Sequence, residues 1–143
     1  MEFQSSPSPN FLSPRGEDGG EGLSSKELSY KIIGIAMEIH RELGVGFLES
    51  VYDEAFGIEL KRAGLNFEYQ KELSIFYKGE KLNKEFRADY LVENKILVEN
   101  KATKGITEID EAQMHNYLKA ADLKLGIIIN YGLPSLEYKR ILR

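Results

Sequence analysis

The chain has 143 residues, a formal net charge of −4 and no cysteine. This length indicates one domain with a sizeable core, and the missing cysteines exclude disulfides and thiolate metal sites. Residues 1–23 account for −3 of the net charge, which leaves −1 for residues 24–143 and argues against a long basic stripe for non-specific DNA binding. No apolar run approaches the roughly 20 residues of a membrane span and no secretory signal is evident, so we expect a cytoplasmic protein without membrane contacts.

The first 23 residues differ in composition from the remainder. They contain three of the four prolines, several glycines and serines, and few apolar residues. Such a segment cannot bury enough surface to order itself. We therefore predict a disordered tail over 1–23 and a single domain over 24–143.

Two helices are predicted first. Ser24 and Glu27 have the spacing of a capping box, and apolar residues recur at helical period until Gly44. The apolar positions of this first helix are Leu28, Ile32, Ile35, Ala36, Ile39 and Leu43. Those of a second helix, which Gly64 ends, are Val51, Ala55, Phe56, Leu60 and Ala63.

The remainder alternates between strand and helix patterns. "FEYQKELSIFY" and "KLNKEFRADYLV" predict a hairpin around a "KGE" turn, and "ILVENKA" a third strand. "ITEIDEAQMHNYLKAA" has helical spacing, "LGIIIN" is typical of a buried strand, and "LEYKRIL" of a final edge strand. The order α-α-β-β-β-α-β-β predicts an α+β fold, a mixed sheet of about four to five strands flanked by helices.

The tripeptide Glu-Asn-Lys occurs twice, at 93–95 and 99–101. The first copy lies between two apolar runs, where Asn94 suits a turn, and the second extends a strand. A two-residue loop would pair Asp89 with Asn100 and mix core with charge on one face. A three-residue loop, 93–95, pairs Asp89 with Glu99 and separates an apolar face from a polar one, so the pattern favours it.

The favoured register places Ala88, Tyr90, Val92, Ile96 and Val98 on one face and Arg87, Asp89, Leu91, Leu97, Glu99 and Lys101 on the other. Opposed carboxylates repel unless a proton or a cation separates them, and Mg²⁺ suits such a pair. Lys101 could stabilise developing negative charge or orient a water. The alternative is a solvated face on which Arg87 and Lys101 balance the two acids, but Leu91 and Leu97 favour a face covered by a helix.

Four stretches resemble the GxxExxY family, which belongs to the PD-(D/E)XK nuclease superfamily. They are "HRELGVGFLESVYDEA", with Gly46, Glu49 and Tyr52 as the signature, "FRADYLVENKILVENKA", "AQMHNYLKAADLKLGIIIN" and "KRIL". The resemblance covers about 30–143. It implies an α-β-β-β-α-β core and Mg²⁺- or Mn²⁺-dependent hydrolysis of phosphodiester bonds in nucleic acid, with DNA favoured.

The resemblance also implies the site. The implied catalytic residues are Glu49, Asp89, Glu99, Lys101 and Gln113, and the implied metal ligands are Glu49, Asp89 and Glu99. Tyr52 and Tyr117 are implied to support the site. Gln113 and Tyr117 are expected to form a buried pair. Ala88 replaces the usual proline, and the polar Asn100 predicts a less buried strand end.

The remaining candidates give weaker signals. The two histidines, His40 and His115, lie on different helices and predict structural or surface roles, and the lysines of 71–84 predict a solvated strand edge. Two functions stay open: a metal-dependent nuclease, or a non-catalytic module of the same fold that binds nucleic acid or a protein. A homodimer is left open.

Overall fold

A computed structural model describes residues 22–143 as three helices and seven strands. The helices are α1 (Ser25–Leu43), α2 (Glu49–Arg62) and α3 (Glu108–Ala121). The strands are β1 (Phe67–Leu73), β2 (Phe76–Tyr77), β3 (Glu80–Lys81), β4 (Phe86–Val92), β5 (Ile96–Lys101), β6 (Leu125–Asn130) and β7 (Glu137–Leu142). Within residues 22–143, no helix is long and apolar enough to cross a membrane.

Five strands form one mixed sheet in the order β1-β4-β5-β6-β7. All neighbours are antiparallel except β5 and β6, which α3 joins as a parallel pair. Val92 pairs with Ile96 and Tyr90 with Val98, so the predicted three-residue loop is confirmed. The loop is tight because Glu93 and Asn94 both adopt left-handed backbone angles, with φ of 53° and 55°.

The helices cover both faces of the sheet and form two separate cores. The α1 and α2 face buries, among others, Leu28, Ile32, Phe56, Leu60, Tyr90, Val98 and Ile127. The α3 face buries Leu73, Ala88, Leu91, Leu97, Met114, Leu118 and Ile128. The expectation that a helix covers Leu91 and Leu97 is therefore confirmed.

One face assignment from the sequence is wrong. Ala88 packs on the α3 side of the sheet, whereas Tyr90 packs against α1 and α2. The alternation slips between them because Gln70, on the neighbouring strand, has a left-handed backbone (φ 53°) and makes no ladder pair with Asp89. The irregularity falls at an acid of the candidate site.

Two further details differ from the sequence prediction. The stretch 67–77 is not one strand: β1 ends at Leu73, and β2 pairs only with β3 as a separate hairpin around Lys78 and Gly79. The apolar face of α2 is also rotated, since Tyr52 is fully buried whereas Val51 is 36% exposed. Tyr52 takes the core position because its ring stacks on Tyr131 at 4.7 Å.

The N-terminal end of the described chain is already docked. Leu23 packs against the core on the α1 and α2 side, and its carbonyl accepts a hydrogen bond from Lys95 Nζ. The predicted tail boundary at residue 23 therefore falls inside the packed domain, and residues 1–21 lie outside the described part. α1 begins with the predicted capping box of Ser24 and Glu27.

Candidate functional site

The site lies where β4 and β5 separate. Their ladder ends at Tyr90 and Val98; beyond it β4 continues beside β1 alone and β5 beside β6 alone. Asp89 and Glu99 occupy the next position of the same register, so they face one another at the opening of this fork. The prediction that they are cross-strand neighbours is supported by the hydrogen bond between them, although they do not form the backbone ladder pair that the predicted register implied.

The two carboxylates replace the missing backbone ladder. The Asp89 N–H donates to Glu99 Oε2 at 2.7 Å, and the Asn100 N–H donates to Asp89 Oδ2 at 2.8 Å. Among the residues described, no donor reaches the other oxygen of either group, Asp89 Oδ1 or Glu99 Oε1. Each half-buried acid thus keeps one acceptor without a protein partner, which is expensive unless a water or a cation binds there.

The electrostatics of the pair favour a cation. Burial raises the pKa of Asp89 to about 7, and the nearby charges of Asp53 and Glu49 act in the same direction. Burial and the charge of Asp89 raise the pKa of Glu99 to about 8. The hydrogen bonds from the backbone oppose both shifts but do not cancel them. Near neutral pH the pair therefore shares a proton unless a cation displaces it.

Lys101 supplies a positive charge at the same opening. Its side chain is only 18% exposed, and its Nζ lies 3.4 Å from Asp110 Oδ1 on α3. Asp110 is itself held in the capping box of α3 with Thr107. Although partial burial acts to raise the pKa of Asp110, the Thr107 hydrogen bonds and the Lys101 charge lower it. Asp110 is therefore ionised and fixes the position of the lysine.

Glu49 approaches the fork from the first turn of α2. Its side chain is exposed to solvent, but the surrounding protein atoms still desolvate the carboxylate in part and raise its pKa, although the Lys101 charge opposes this. Tyr52 supports the segment before it: the tyrosine hydroxyl donates to the Gly44 carbonyl at 2.6 Å and accepts from the Phe47 N–H at 3.3 Å. Tyr52 thus fixes the loop that leads into Glu49 and does not contact the acids.

A buried polar network behind the acids was missed from the sequence. Asn100 Nδ2 donates to Asp53 Oδ1 at 3.0 Å, and the Tyr131 hydroxyl donates to Asn100 Oδ1 at 3.2 Å. Tyr69 also interacts with the Asp53 carboxylate, while the Tyr90 hydroxyl donates to the Asp53 carbonyl at 2.8 Å. Burial raises the pKa of Asp53.

This network corrects one expectation. The polar Asn100 predicted a less buried strand end, yet Asn100 is fully buried, because Asp53 and Tyr131 satisfy its amide. The sequence does contain a signal for Asp53, which stands four residues after Glu49 and so on the same side of a helix. Its partner is 47 residues away in the chain, and no local pattern predicts such a contact.

The two residues implied on α3 have different positions. Tyr117 is buried, and burial together with the charges of Glu99 and Asp89 raises its pKa. Gln113 is exposed, not part of a buried pair, and no hydrogen bond within residues 22–143 involves its amide. It lines a groove that it shares with Tyr117.

The remaining candidates lie outside the site. In the first Glu-Asn-Lys copy, Glu93 Oε2 accepts from the Asn66 N–H at 2.6 Å, which ties the hairpin tip to the start of β1. His40 Nε2 contacts the Leu133 carbonyl at 2.8 Å, and His115 is exposed. The two Glu-Asn-Lys copies therefore differ in position as predicted: the first lies in the turn between β4 and β5, and the second lies at the candidate site.

Comparison with known proteins decides the family. Residues 26–141 match the model of the PD-(D/E)XK nuclease superfamily. The chain belongs to this superfamily.

A solved structure supports the same fold. The crystal structure of SSO0001 superposes with a TM-score of 0.52 at 19% sequence identity. The match covers 66% of the present chain and 49% of that one, so about half of that chain is represented. A search of curated proteins found no match.

PD-(D/E)XK nucleases generally use divalent metals, and the residues at the fork fit such an ion in part. The unpartnered oxygens of Asp89 and Glu99 are hard donors of the kind that Mg²⁺ and Mn²⁺ prefer. Within residues 22–143, however, no group of three or more His, Asp or Glu side chains is arranged to hold a metal ion. The structure thus brings Asp89 and Glu99 together, while Glu49 stands at the rim.

Proposed function

We propose that this protein is a divalent-metal-dependent nuclease that hydrolyses phosphodiester bonds, with DNA as the favoured substrate, and that it is a GxxExxY member of its superfamily. The observation that carries the proposal is the pair of opposed, half-buried carboxylates with one unpartnered oxygen each, beside a lysine held in place. A site kept only for folding has no need of two acids whose ionised forms repel each other.

Each residue of the site has a distinct role in this proposal. Asp89 and Glu99 would hold Mg²⁺ or Mn²⁺, and Glu49 would add a carboxylate from the rim. When bound, such an ion supplies Lewis-acid polarisation of a phosphate oxygen and a more acidic water. Lys101 faces the same opening, and its ammonium can stabilise negative charge on the phosphate or orient the attacking water. Asp110 restricts the lysine to that position.

Residues behind the site keep this arrangement rigid. Asn100 connects the parts of the site: its N–H donates to Asp89, and its side chain donates to Asp53 on α2. The strand that carries Glu99 and Lys101 is thereby connected to the helix that carries Glu49. All of these groups come from one copy of the chain, so the proposal requires no partner subunit.

A cleavage screen tests the proposal. Single-stranded, duplex, flap and branched DNA and RNA would be incubated with Mg²⁺ or Mn²⁺, and in parallel with chelator. We expect metal-dependent cutting by wild type and by Glu93→Gln, and none by Glu99→Gln. Both substitutions exchange a glutamate of a Glu-Asn-Lys tripeptide for its neutral isostere, so the pair controls for the chemical change.

The second candidate is a non-catalytic binding module of the same fold. The observation in its favour is the absence, among the residues described, of a ready three-acid metal group. It predicts nucleic-acid binding that chelator does not alter and no cutting of any substrate. Cutting that survives in Glu99→Gln would contradict both candidates, because it would come from another site or a contaminant.

A further inference from the structure

An open groove of about 820 Å³ lies between α3 and the residues 74–76 and Phe86. Its sheet side includes Phe76 of β2 and Phe86 of β4, and its helix side includes residues of α3 one turn apart, among them Gln113 and Tyr117. The volume is in the range of roughly 300–1,000 Å³ that is typical of ligand pockets. Phe76 is 62% exposed, so its ring is accessible to a ligand in the groove.

The groove is connected to the candidate site along α3. Asp110, which contacts Lys101 Nζ at 3.4 Å, lies on the same side of this helix as Gln113 and Tyr117, which follow it at helical spacing and line the groove. The charges of Glu99 and Asp89 also act on the Tyr117 hydroxyl. A molecule bound in the groove therefore lies next to the fork. Since the proposed function places a phosphate at the fork, the groove would receive the portion of the substrate adjoining that phosphate.

The lining has the chemistry of a nucleobase site. Aromatic rings offer flat apolar surfaces for stacking, and the amides of Gln113 and Asn116 offer donors and acceptors for the edge of a base. No hydrogen bond within residues 22–143 uses either amide. Lys119 is the one charged residue in the lining that is described, and no acid accompanies it, which suits a phosphate backbone at the rim.

These features favour a single strand over a duplex. Bases in a duplex are stacked on both faces and paired along their edges, so a concave groove cannot reach them. Duplex affinity comes mainly from many phosphate contacts, for which a domain of net charge −1 over residues 24–143 is poorly equipped. Stacking and edge contacts in a groove are less dependent on the total charge.

We propose that this groove binds unpaired nucleobases of a single-stranded nucleic acid beside the phosphate held at the fork. The proposal rests on the proposed function for its ligand class, and it assigns the substrate as a single strand, an overhang or a flap. DNA and RNA share the stacking chemistry, so the experiment compares them directly.

Binding is measured on the full chain in chelator, so that no cleavage is required. The probe is a labelled oligonucleotide of about 12 nucleotides, within the roughly 4–16 that one single-strand module covers, as DNA, as RNA and as the matching duplex. Fluorescence anisotropy gives the affinity. A 2-aminopurine placed along the strand reports stacking, since its emission is quenched when it packs on a ring.

The variants are Phe76→Ala and Asn116→Ala, with Tyr30→Ala as the matched control. Tyr30 is a 79% exposed aromatic residue on α1, away from the groove lining. All three sites are exposed, and thermal melts verify that each variant folds. We expect Phe76→Ala to weaken single-strand binding by at least about fivefold and to restore part of the 2-aminopurine emission, Asn116→Ala to weaken it less, and Tyr30→Ala to behave as wild type.

Duplex binding as tight as single-strand binding, or equal affinities for Phe76→Ala and Tyr30→Ala, would overturn the proposal. An affinity for DNA alone or RNA alone, lost in Phe76→Ala, would support it and name the sugar. Failure of the nuclease proposal is separate: it appears as no metal-dependent cutting in the cleavage screen, while groove-dependent binding in chelator persists.

Discussion

Replacing Glu99 with glutamine should stabilise the metal-free protein while removing its response to Mg²⁺. The folded-state pKa of Glu99 is about 8, well above the ordinary value of 4.5. Such a group stabilises the fold fully only at low pH, and its contribution declines as the pH rises from about 4.5 to about 8. Glutamine does not ionise, so its contribution to stability does not change with pH. Its side-chain carbonyl can still accept a hydrogen bond from the Asp89 N–H.

The magnitude follows from linkage. A single raised acid loses up to about 1.4 kcal/mol of stability per pH unit inside this window. Between pH 6 and pH 8 we therefore expect the free energy of unfolding of Glu99→Gln to gain on the order of 1–3 kcal/mol relative to that of wild type. The lower end of this range allows for the proton that Glu99 shares with Asp89 in wild type. Denaturant melts at both pH values, in chelator, measure the difference.

The matched variant is Glu93→Gln. Its carbonyl can still accept the Asn66 N–H, and the turn that holds it lies at the surface, so the change should stay within about 0.5 kcal/mol. Added Mg²⁺ or Mn²⁺ should raise the midpoint of wild type and Glu93→Gln but not of Glu99→Gln. Destabilisation of metal-free Glu99→Gln at pH 8, or an unchanged response to metal, would refute the reasoning and make Glu99 a structural charge.

Three further predictions concern the surroundings of the site. Gly57→Ala places a Cβ 2.7 Å from the buried Tyr90 hydroxyl and should lower the free energy of unfolding in denaturant melts by about 1–3 kcal/mol. The control is Gly34→Ala on the exposed side of α1, where a Cβ meets no atom within 4 Å, and it should raise the free energy of unfolding by roughly 0.5–1 kcal/mol. Equal effects of the two substitutions would contradict the close approach. Asn100→Leu removes the Asn100 donor from the buried Asp53 and should cost at least about 2 kcal/mol, a loss that a wild-type-like melt would exclude. Calorimetric Mg²⁺ affinity should rise between pH 6 and pH 8, by at most about tenfold per unit for each proton displaced, and a flat profile would show that the acids are ionised before metal binds.

Much of the site could be predicted because its acids lie on regular elements. The alternation around the hairpin determined the loop length, and the loop length determined that Asp89 opposes Glu99. The prediction failed where the backbone is irregular. Ala88 was assigned to the wrong face because a left-handed residue on the neighbouring strand shifts the alternation, and glutamine at position 70 gives no indication of that conformation. Asp53 was missed because its partners come from distant parts of the chain.

The end of the β4–β5 ladder and the two acids coincide for a physical reason. A backbone ladder that continued past Tyr90 and Val98 would satisfy the N–H groups of Asp89 and Asn100 with carbonyls and bring the two strands together. Here the strands separate, and carboxylate oxygens accept those N–H groups instead. Each carboxylate uses one oxygen to replace the ladder and keeps the other free. The arrangement lowers the stability of the metal-free protein, because burial raises the pKa of both acids and the charge of Asp89 raises that of Glu99 further, and a bound cation would return that stability.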